Sequence, residues 1–351
     1  MERKRTIFLF VGGSGGHIEP ALMLKKKLQG RNQNVFLYLA TSYPVSDSRN
    51  IKKVIICRSK FKFILQFPYV FLYLLTAALI KKPDVFIGFG GYYSIPGILI
   101  GSILGAETII YEPNVIWGRA NNWLKRIADY IFVIWPNIKI CPRPRMRNKI
   151  VAVKPLIKVD VSERDIQNKS GVFSVLITGG SQGSLFLNKL TIDLMRSYDF
   201  KEHNVKFTLI TGKKFYPLVK NIMSEFLKSQ SLNLELFAYR TDLNKLYRGT
   251  DLLISRAGAQ TLLEAVYYSL PAVFIPYPYA CKHQIENAKH LFKTGACYLL
   301  EQETVDYKSI GDLIIFLEQN QHLLEQIKNN LKMVKNRLLT AKSFEDLVIN
   351  G

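Results

Sequence analysis

Two rhythms alternate along this chain. Short runs of consecutive apolar residues recur at 7–11, 35–40, 54–56, 85–89 and 108–111, then again at 172–178, 206–211, 234–237, 252–254 and 272–275. Each has the length and continuity of a strand buried on both faces of a parallel sheet. Segments with helical spacing lie between them, at 20–29, 96–104, 215–227, 243–248 and 284–293, with another from about Leu185. Pro20 suits the first turn of the earliest of these. Helical patterns at 305–318 and 321–339 close the chain, and the last is expected to pack back across the linker. A polar, aperiodic stretch at 158–170 reads as that linker. It separates a first domain (1–157) from a second (171–340), with a terminal segment at 341–351. The result is two α/β halves of similar length, each opening on a Gly-Gly-Ser turn. The pattern predicts an α/β protein with two doubly wound, Rossmann-like domains facing a cleft.

The most informative junction is 251–268, DLLISRAGAQTLLEAVYY. An apolar run breaks at Ser255-Arg256-Ala257-Gly258, and a helix is expected from near Thr261. A strand entering a helix through a glycine turn leaves the first helical amides without intrahelical partners and adds partial positive charge there. A phosphate group suits that position. Glu264, one turn in, can accept hydrogen bonds from a sugar diol. The competing reading makes Thr261 and Glu264 a capping box that merely closes the helix end.

Similar junctions occur in the first half. The turn Gly12-Gly13-Ser14-Gly15-Gly16-His17 follows the first strand, Gly88-Phe89-Gly90-Gly91-Tyr92 follows another, and Glu112-Pro113-Asn114 a third. In open parallel sheets, ligands bind beyond the carboxyl ends of strands. The first turn lacks the spacing of a dinucleotide fingerprint and carries no Walker lysine. His17 is its only titratable group, hence a candidate base or phosphate partner.

Charge sharpens the picture. The chain has 351 residues and a net charge of +21. Residues 1–157 carry 24 Lys/Arg against 7 Asp/Glu, or +17; residues 158–351 carry 24 against 20, or +4. A lysine-rich composition would bias both halves alike, so the asymmetry points to an anionic partner of the first half. The basic stretch 143–154 lacks interleaved aromatic residues and makes a poor nucleic-acid platform, so no nucleic acid is expected. Segment 63–80 has 18 residues without a charge, flanked by Lys60, Lys62, Lys81 and Lys82. Its length alone suits a membrane span. Pro68, Gln66 and an immediately following strand argue instead for a core helix, or for one docked on an anionic membrane surface through residues such as Phe67, Phe71, Leu72 and Leu75. Four scattered cysteines indicate neither a disulfide framework nor a zinc site, and no Asp-x-Asp metal motif appears.

Taken together, the glycine turn ending in His17, Gly88–Tyr92, Glu112-Pro-Asn114, Gly179-Gly-Ser-Gln-Gly183, Arg256-Ala-Gly258 with Thr261 and Glu264, and Gln284 with Asn287 resemble the MurG family over nearly the whole chain. That family comprises the N-acetylglucosaminyltransferases that convert undecaprenyl-linked lipid I to lipid II in peptidoglycan synthesis. The resemblance implies a GT-B fold and a peripheral position on the cytoplasmic face of the cell (inner) membrane. It also implies UDP-N-acetylglucosamine as donor in the second domain, lipid I as acceptor at the first, and no cofactor or metal. By the same resemblance, Glu264 would hold the uridine ribose and Ser181 the diphosphate and nucleotide region. Arg240 would stand at a uracil-contacting position. Ala259, Gln260, Thr261, Leu262, Leu263 and Gln284 would line the donor sugar and phosphates, and Ser14, Gly15, Gly16 and Asn114 would meet the donor from the first domain. Gly90, Gly91 and Tyr92 would lie on the acceptor side.

Three positions depart from the family pattern. Ile157 stands where an arginine is usual, Tyr111 where histidine is common, and Pro113 where glutamine is common. Lysine at 154 or 158 lacks the bidentate fork of the missing arginine.

The implied chemistry is a single inverting displacement, in which the muramoyl 4-hydroxyl attacks as UDP leaves. Helix amides and Arg256 would stabilise the developing phosphate charge. His17 and Glu112 are the available bases, His17 preferred. Two other readings accompany this one: a transferase acting on another lipid acceptor such as diacylglycerol, and a degenerate, non-catalytic membrane scaffold.

Overall fold

The computed structural model describes residues 4–12, 15–40, 51–53, 60–136, 149–158, 171–229, 233–279 and 282–350. The chain divides into two compact units, Met1–Leu156 with Leu338–Gly351, and Ile157–Arg337.

The first unit is built on a seven-stranded sheet. Its strands are β1 (Thr6–Gly12), β2 (Asn34–Ala40), β3 (Ile51–Lys53), β4 (Val85–Gly88), β5 (Glu107–Glu112), β6 (Tyr130–Val133) and β7 (Ile150–Ala152). They lie in the order β3-β2-β1-β4-β5-β6-β7, and every pairing is parallel. The order reverses between β1 and β4, the topological switch point where such sheets receive ligands. Ile7 to Val11 are at most 1% exposed, which accounts for the unbroken apolar run. Their core is aromatic: Phe10 stacks on Phe86 at 5.8 Å and on Tyr38 at 5.4 Å. The expected strand at 54–56 lies outside the described residues.

Helix α1 spans Gly15–Gly30, five residues earlier at its start than the sequence suggests, with Pro20 inside it. Proline at that depth removes only a bond to the Gly16 carbonyl at the helix end, so the glycine segment can be helical. The uncharged segment forms α2 (Lys60–Lys81), and α3 (Ser94–Ile103) and α4 (Arg119–Leu124) follow.

The second unit repeats the plan with six strands: β8 (Phe173–Thr178), β9 (Val205–Ile210), β10 (Leu234–Phe237), β11 (Leu252–Ser255), β12 (Ala272–Phe274) and β13 (Tyr298–Leu299). Their order is β10-β9-β8-β11-β12-β13, again all parallel, with its switch point between β8 and β11. The helices are α5 (Leu185–Ser197), α6 (Tyr216–Ser229), α7 (Leu243–Arg248), α8 (Ala259–Tyr268), α9 (His283–Phe292), α10 (Tyr307–Gln319) and α11 (Gln321–Leu339).

The chain's last helix, α12 (Phe344–Asn350), belongs to the first unit. Phe344 inserts among Phe89, Tyr111 and Phe132, at ring distances of 6.1, 5.5 and 4.8 Å. Lys27–Glu345 (2.9 Å) and Arg31–Asp346 (2.6 Å) tie α12 to α1 and to the turn that follows it. The segment returning to the first unit is therefore this short helix, while α11 stays with the second unit as far as Arg337.

Candidate functional site

At the first switch point, the turn after β4 folds onto the end of β1. Gly91 has φ +76°, and an added Cβ would stand 2.9 Å from the Gly12 carbonyl, so only glycine suits this approach. Ser94 at the start of α3 donates to the Gly90 carbonyl (2.9 Å) and the Phe10 carbonyl (3.3 Å), pinning the two strand ends together. His17 Nδ1 lies 2.8 Å from the Phe89 carbonyl. A carbonyl only accepts, so Nδ1 carries the proton, and Nε2 is the basic nitrogen of the neutral ring. Tyr92 is 39% exposed beside this loop. Residues 13 and 14, including the expected Ser14, lie outside the described residues; Gly15 and Gly16 open α1.

Glu112 sits differently. It is 1% exposed, and each of its oxygens accepts twice. Oε1 takes the Asn114 amide (3.1 Å) and Nδ2 (2.7 Å); Oε2 takes the Gly118 amide (2.8 Å) and Asn121 Nδ2 (3.1 Å). With four donors converging on its two oxygens, this buried carboxyl group organises its loop. Asn114 is one of the groups it orders.

Tyr111 is fully buried against Phe89 and Phe344, and burial pushes its hydroxyl well above the usual phenol range. The departure at this position thus serves packing around α12. Ile157 is buried too, at 7% exposure. The neighbouring Lys158 Nζ donates to the Thr241 carbonyl (3.2 Å), next to Arg240.

At the second switch point, Ser255 Oγ donates to the Thr178 carbonyl (2.8 Å), joining the ends of β8 and β11. The turn between β8 and α5 is compressed against the end of β9: Gly183 has φ +74°, and a Cβ there would collide with the Thr211 carbonyl. Ser184 caps α5 by accepting from the Leu187 amide (3.3 Å), a contact worth about 1 kcal/mol. Ser181 is exposed at the tip.

Helix α8 starts at Ala259, two residues before the expected position. Gly258 is its N-cap, in extended conformation and with no side chain to cap it. The first intrahelical bond runs from the Leu262 amide to the Gly258 carbonyl (3.0 Å), so the amides of 259–261 precede the ladder and point out of the helix end. Glu264 is then the sixth helical residue rather than the third. The capping-box reading fails for that reason. Instead Glu264 Oε2 accepts from Tyr247 Oη (2.9 Å) and Oε1 from Gln260 Nε2 (3.1 Å). Leu262 and Leu263 are each 1% exposed and face the core; Gln260, Thr261 and Glu264 are half-buried on the other side.

Arg256 is 7% exposed, with Phe186 and Tyr277 within cation–π range at 5.2 and 5.6 Å. Its donors go to neutral acceptors: Ser184 Oγ (3.1 Å), the carbonyls of Ile275 (2.8 Å) and Pro276 (3.2 Å), and Gln302 Oε1 (2.6 Å). Burial lowers its pKa to about 10, which leaves it charged at neutral pH. The cation therefore projects a positive field at the strand ends while its hydrogen bonds hold the loops. Gln284 Oε1 accepts from the Tyr277 amide (2.9 Å), and Asn287 Nδ2 donates to the Ala257 carbonyl (3.3 Å), fixing α9 beside α8. Arg240 forks onto Asp242 at 2.7 and 2.6 Å, and its guanidinium lies 4.6 Å from the Phe237 ring. The carboxylate of Asp242 raises the pKa of Arg240, and the guanidinium in turn lowers that of Asp242.

The strand order, the two glycine-lined switch points and the bare start of α8 can be set beside known proteins. Residues 7–133 match the glycosyltransferase family 28 N-terminal domain, and residues 174–346 match its C-terminal domain. A UDP-N-acetylglucosamine--N-acetylmuramyl-(pentapeptide) pyrophosphoryl-undecaprenol N-acetylglucosamine transferase of Wolbachia pipientis subsp. Culex pipiens is 31% identical, with 95% of each chain covered. The enzyme of the same name from Rickettsia canadensis is 31% identical over 98% of this chain and 99% of its own. The chain belongs to the MurG family. A crystal structure of Acinetobacter baumannii MurG superposes with a TM-score of 0.72 at 24% identity, covering 99% of this chain and 98% of that one, a likeness of fold. The two-domain architecture expected from the family is present as two parallel, doubly wound sheets. Three groups that organise the loops of this chain went unnoticed in the sequence: Asn121, Tyr247 and Gln302. Ser94 and Ser184 carried a signal, each a polar residue just before an apolar helical run.

Proposed function

We propose that this protein transfers N-acetylglucosamine from UDP-N-acetylglucosamine to the muramoyl 4-hydroxyl of undecaprenyl-pyrophosphoryl-MurNAc-pentapeptide, forming lipid II in peptidoglycan synthesis. The near-full-length relationship to transferases of one named activity carries this reading. It is a hexosyltransferase, and the transfer proceeds with inversion at the anomeric carbon.

In this reading the second unit takes the donor. The diphosphate lies at the start of α8, where the amides of 259–261 and the field of Arg256 offset the charge that builds on the departing UDP. Glu264 accepts from the ribose hydroxyls, and Gln260, Thr261 and Gln284 border the sugar. Ser181 belongs to the diphosphate loop, and Arg240 stands near the base.

The first unit takes the acceptor. Its glycine loops at Gly15, Gly16, Gly90 and Gly91, with Tyr92, receive the pyrophosphate and sugar of lipid I. His17 Nε2 removes the proton from the attacking hydroxyl, with Nδ1 steadied by the Phe89 carbonyl. Glu112 holds Asn114 and the loop after β5.

The enzyme works at the cytoplasmic face of an anionic membrane without spanning it. Among the described residues, no helix is long and apolar enough to cross a bilayer. Helix α2 buries Val70, Leu74 and Ala78 and leaves Leu65, Tyr69, Leu72, Leu79 and Ile80 exposed. That outer face is the membrane-docking surface; Leu72 belongs to it, while Phe71 and Leu75 pack partly against the core.

The test is transfer of labelled sugar to a lipid I analogue, with UDP-N-acetylglucosamine, UDP-glucose and UDP-galactose compared. Selective transfer from the first, with KM raised at least tenfold in Glu264→Ala, is expected. Folded protein that transfers to diacylglycerol instead, or from none of the donors, overturns the reading.

A further inference from the structure

Helix α7 has no place in the chemistry described so far, yet its one fully buried aromatic residue reaches the donor side. Tyr247 is 3% exposed, and a phenylalanine would fill the same space. Its hydroxyl donates to Glu264 Oε2 at 2.9 Å, across from α7 to α8. From the other side Gln260, one turn earlier on α8, donates to Oε1 at 3.1 Å. The Glu264 carboxylate is thus anchored at both oxygens, which fixes the rotation of its plane about the Cγ–Cδ bond.

That rotation matters for a vicinal diol. Two adjacent hydroxyls meet a carboxylate well only when both oxygens lie near the plane the diol presents, so a freely turning carboxylate spends part of its binding energy on ordering. The two anchors differ in stiffness. Gln260 is a half-buried side chain with three rotatable bonds, whereas Tyr247 is packed in the core with its ring tilted 43° against that of Tyr268, centroids 5.6 Å apart. Burial and the nearby Glu264 charge hold the Tyr247 hydroxyl protonated, so it remains a donor across the working pH range.

We infer that Tyr247 is a positioning residue for the ribose-binding carboxylate, and that its hydroxyl sets the enzyme's preference for donors with an intact ribose diol. The inference rests on Glu264 being the ribose-binding residue, as proposed above.

The experiment uses full-length enzyme and two inhibitors, UDP and its 2′,3′-dideoxy analogue, alongside KM for UDP-N-acetylglucosamine and kcat. Tyr247→Phe is expected to raise KM and the inhibition constant of UDP about five- to tenfold. kcat should stay within about twofold, and the inhibition constant of the dideoxy analogue should not change. Glu264→Ala should abolish the discrimination between the two inhibitors, and adding Tyr247→Phe to it should cost nothing more, because the hydroxyl acts only through the carboxylate. Gln260→Ala, which leaves the core intact, should weaken UDP in the same selective way but less. Equal losses for UDP and the dideoxy analogue in Tyr247→Phe would mark general loosening and overturn the inference, as would an unchanged UDP constant. If Glu264→Ala keeps full discrimination, the ribose assignment itself falls, an outcome distinct from failure of Tyr247→Phe alone.

Discussion

The two sheets share the order of their first six strands, yet their switch points are furnished for different tasks. Around β1 and β4 the backbone is drawn tight by Gly91 and Ser94, and the one imidazole there is fixed by a main-chain carbonyl. Around β8 and β11 stand an uncapped helix start, a buried arginine bonded to neutral acceptors, and a half-buried carboxylate. The first arrangement suits moving a proton; the second suits holding an anion and a diol. Two acids make the same contrast at smaller scale. Glu112 has both oxygens doubly satisfied by its own loop, whereas Glu264 is held at its edges and half-buried. The lesson is that residue type at a strand end does not assign a role. The partners already present do.

The largest effect should come from separating the two candidate bases. If the imidazole acts on the acceptor hydroxyl and not on the donor, as proposed above, His17→Ala should lower kcat about 10²- to 10³-fold with UDP affinity unchanged. Glu112→Gln replaces an acceptor oxygen with an NH₂ that faces donors, and should lower stability by about 2 kcal/mol, read as a fall in Tm. The surviving folded fraction should retain kcat within about threefold. A Glu112→Gln enzyme that is stable but as inactive as His17→Ala would reverse the assignment of the base.

Arg256 comes next. Its hydrogen bonds are made to a serine, two carbonyls and a glutamine, so its charge is not neutralised by the groups it touches. Arg256→Met is expected to reduce kcat about 10- to 100-fold by removing the field at the leaving phosphate, and to cost stability by leaving those acceptors unmatched. Arg256→Lys restores charge but not the fork, so it should recover part of kcat and little of Tm. Equal recovery of both would mean that the arginine serves loop geometry alone.

Much of this was legible in the chain. Continuous apolar runs marked the central strands because parallel strands buried on both faces need no alternation, and the glycines marked both switch points. Boundaries failed where glycine or proline carried two meanings. The segment from Gly15 reads as loop but is helical, and α8 begins on Ala259, which has no capping signal of its own. Short elements also escaped: α4, β6, β7, β13 and α12 are too brief to develop a period. Tyr111 looked like a change at the site and is a packing change around Phe344. Tyr247 could not have been found, since its role depends on α7 and α8 meeting side by side, and no local pattern records that contact.

The smallest effect on chemistry should come from the outer face of α2, the part of the first unit farthest in character from either switch point. Leu72 is 62% exposed and Tyr69 72%, on a helix whose opposite face is locked into the core by Val70 and Leu74 at 3% each. Leu72→Glu adds a charge without disturbing that core, so transfer to a short-chain, water-soluble acceptor should stay within about twofold of the parent. Binding to vesicles containing anionic lipid should fall about tenfold, since a carboxylate both loses apolar contact and opposes the surface potential. Leu74→Glu on the buried face should unfold the first unit instead, which separates docking from folding. Vesicle binding that is unchanged in Leu72→Glu but lost in high salt would move the attraction from this face to the basic residues of segment 1–157, whose +17 balance acts at longer range.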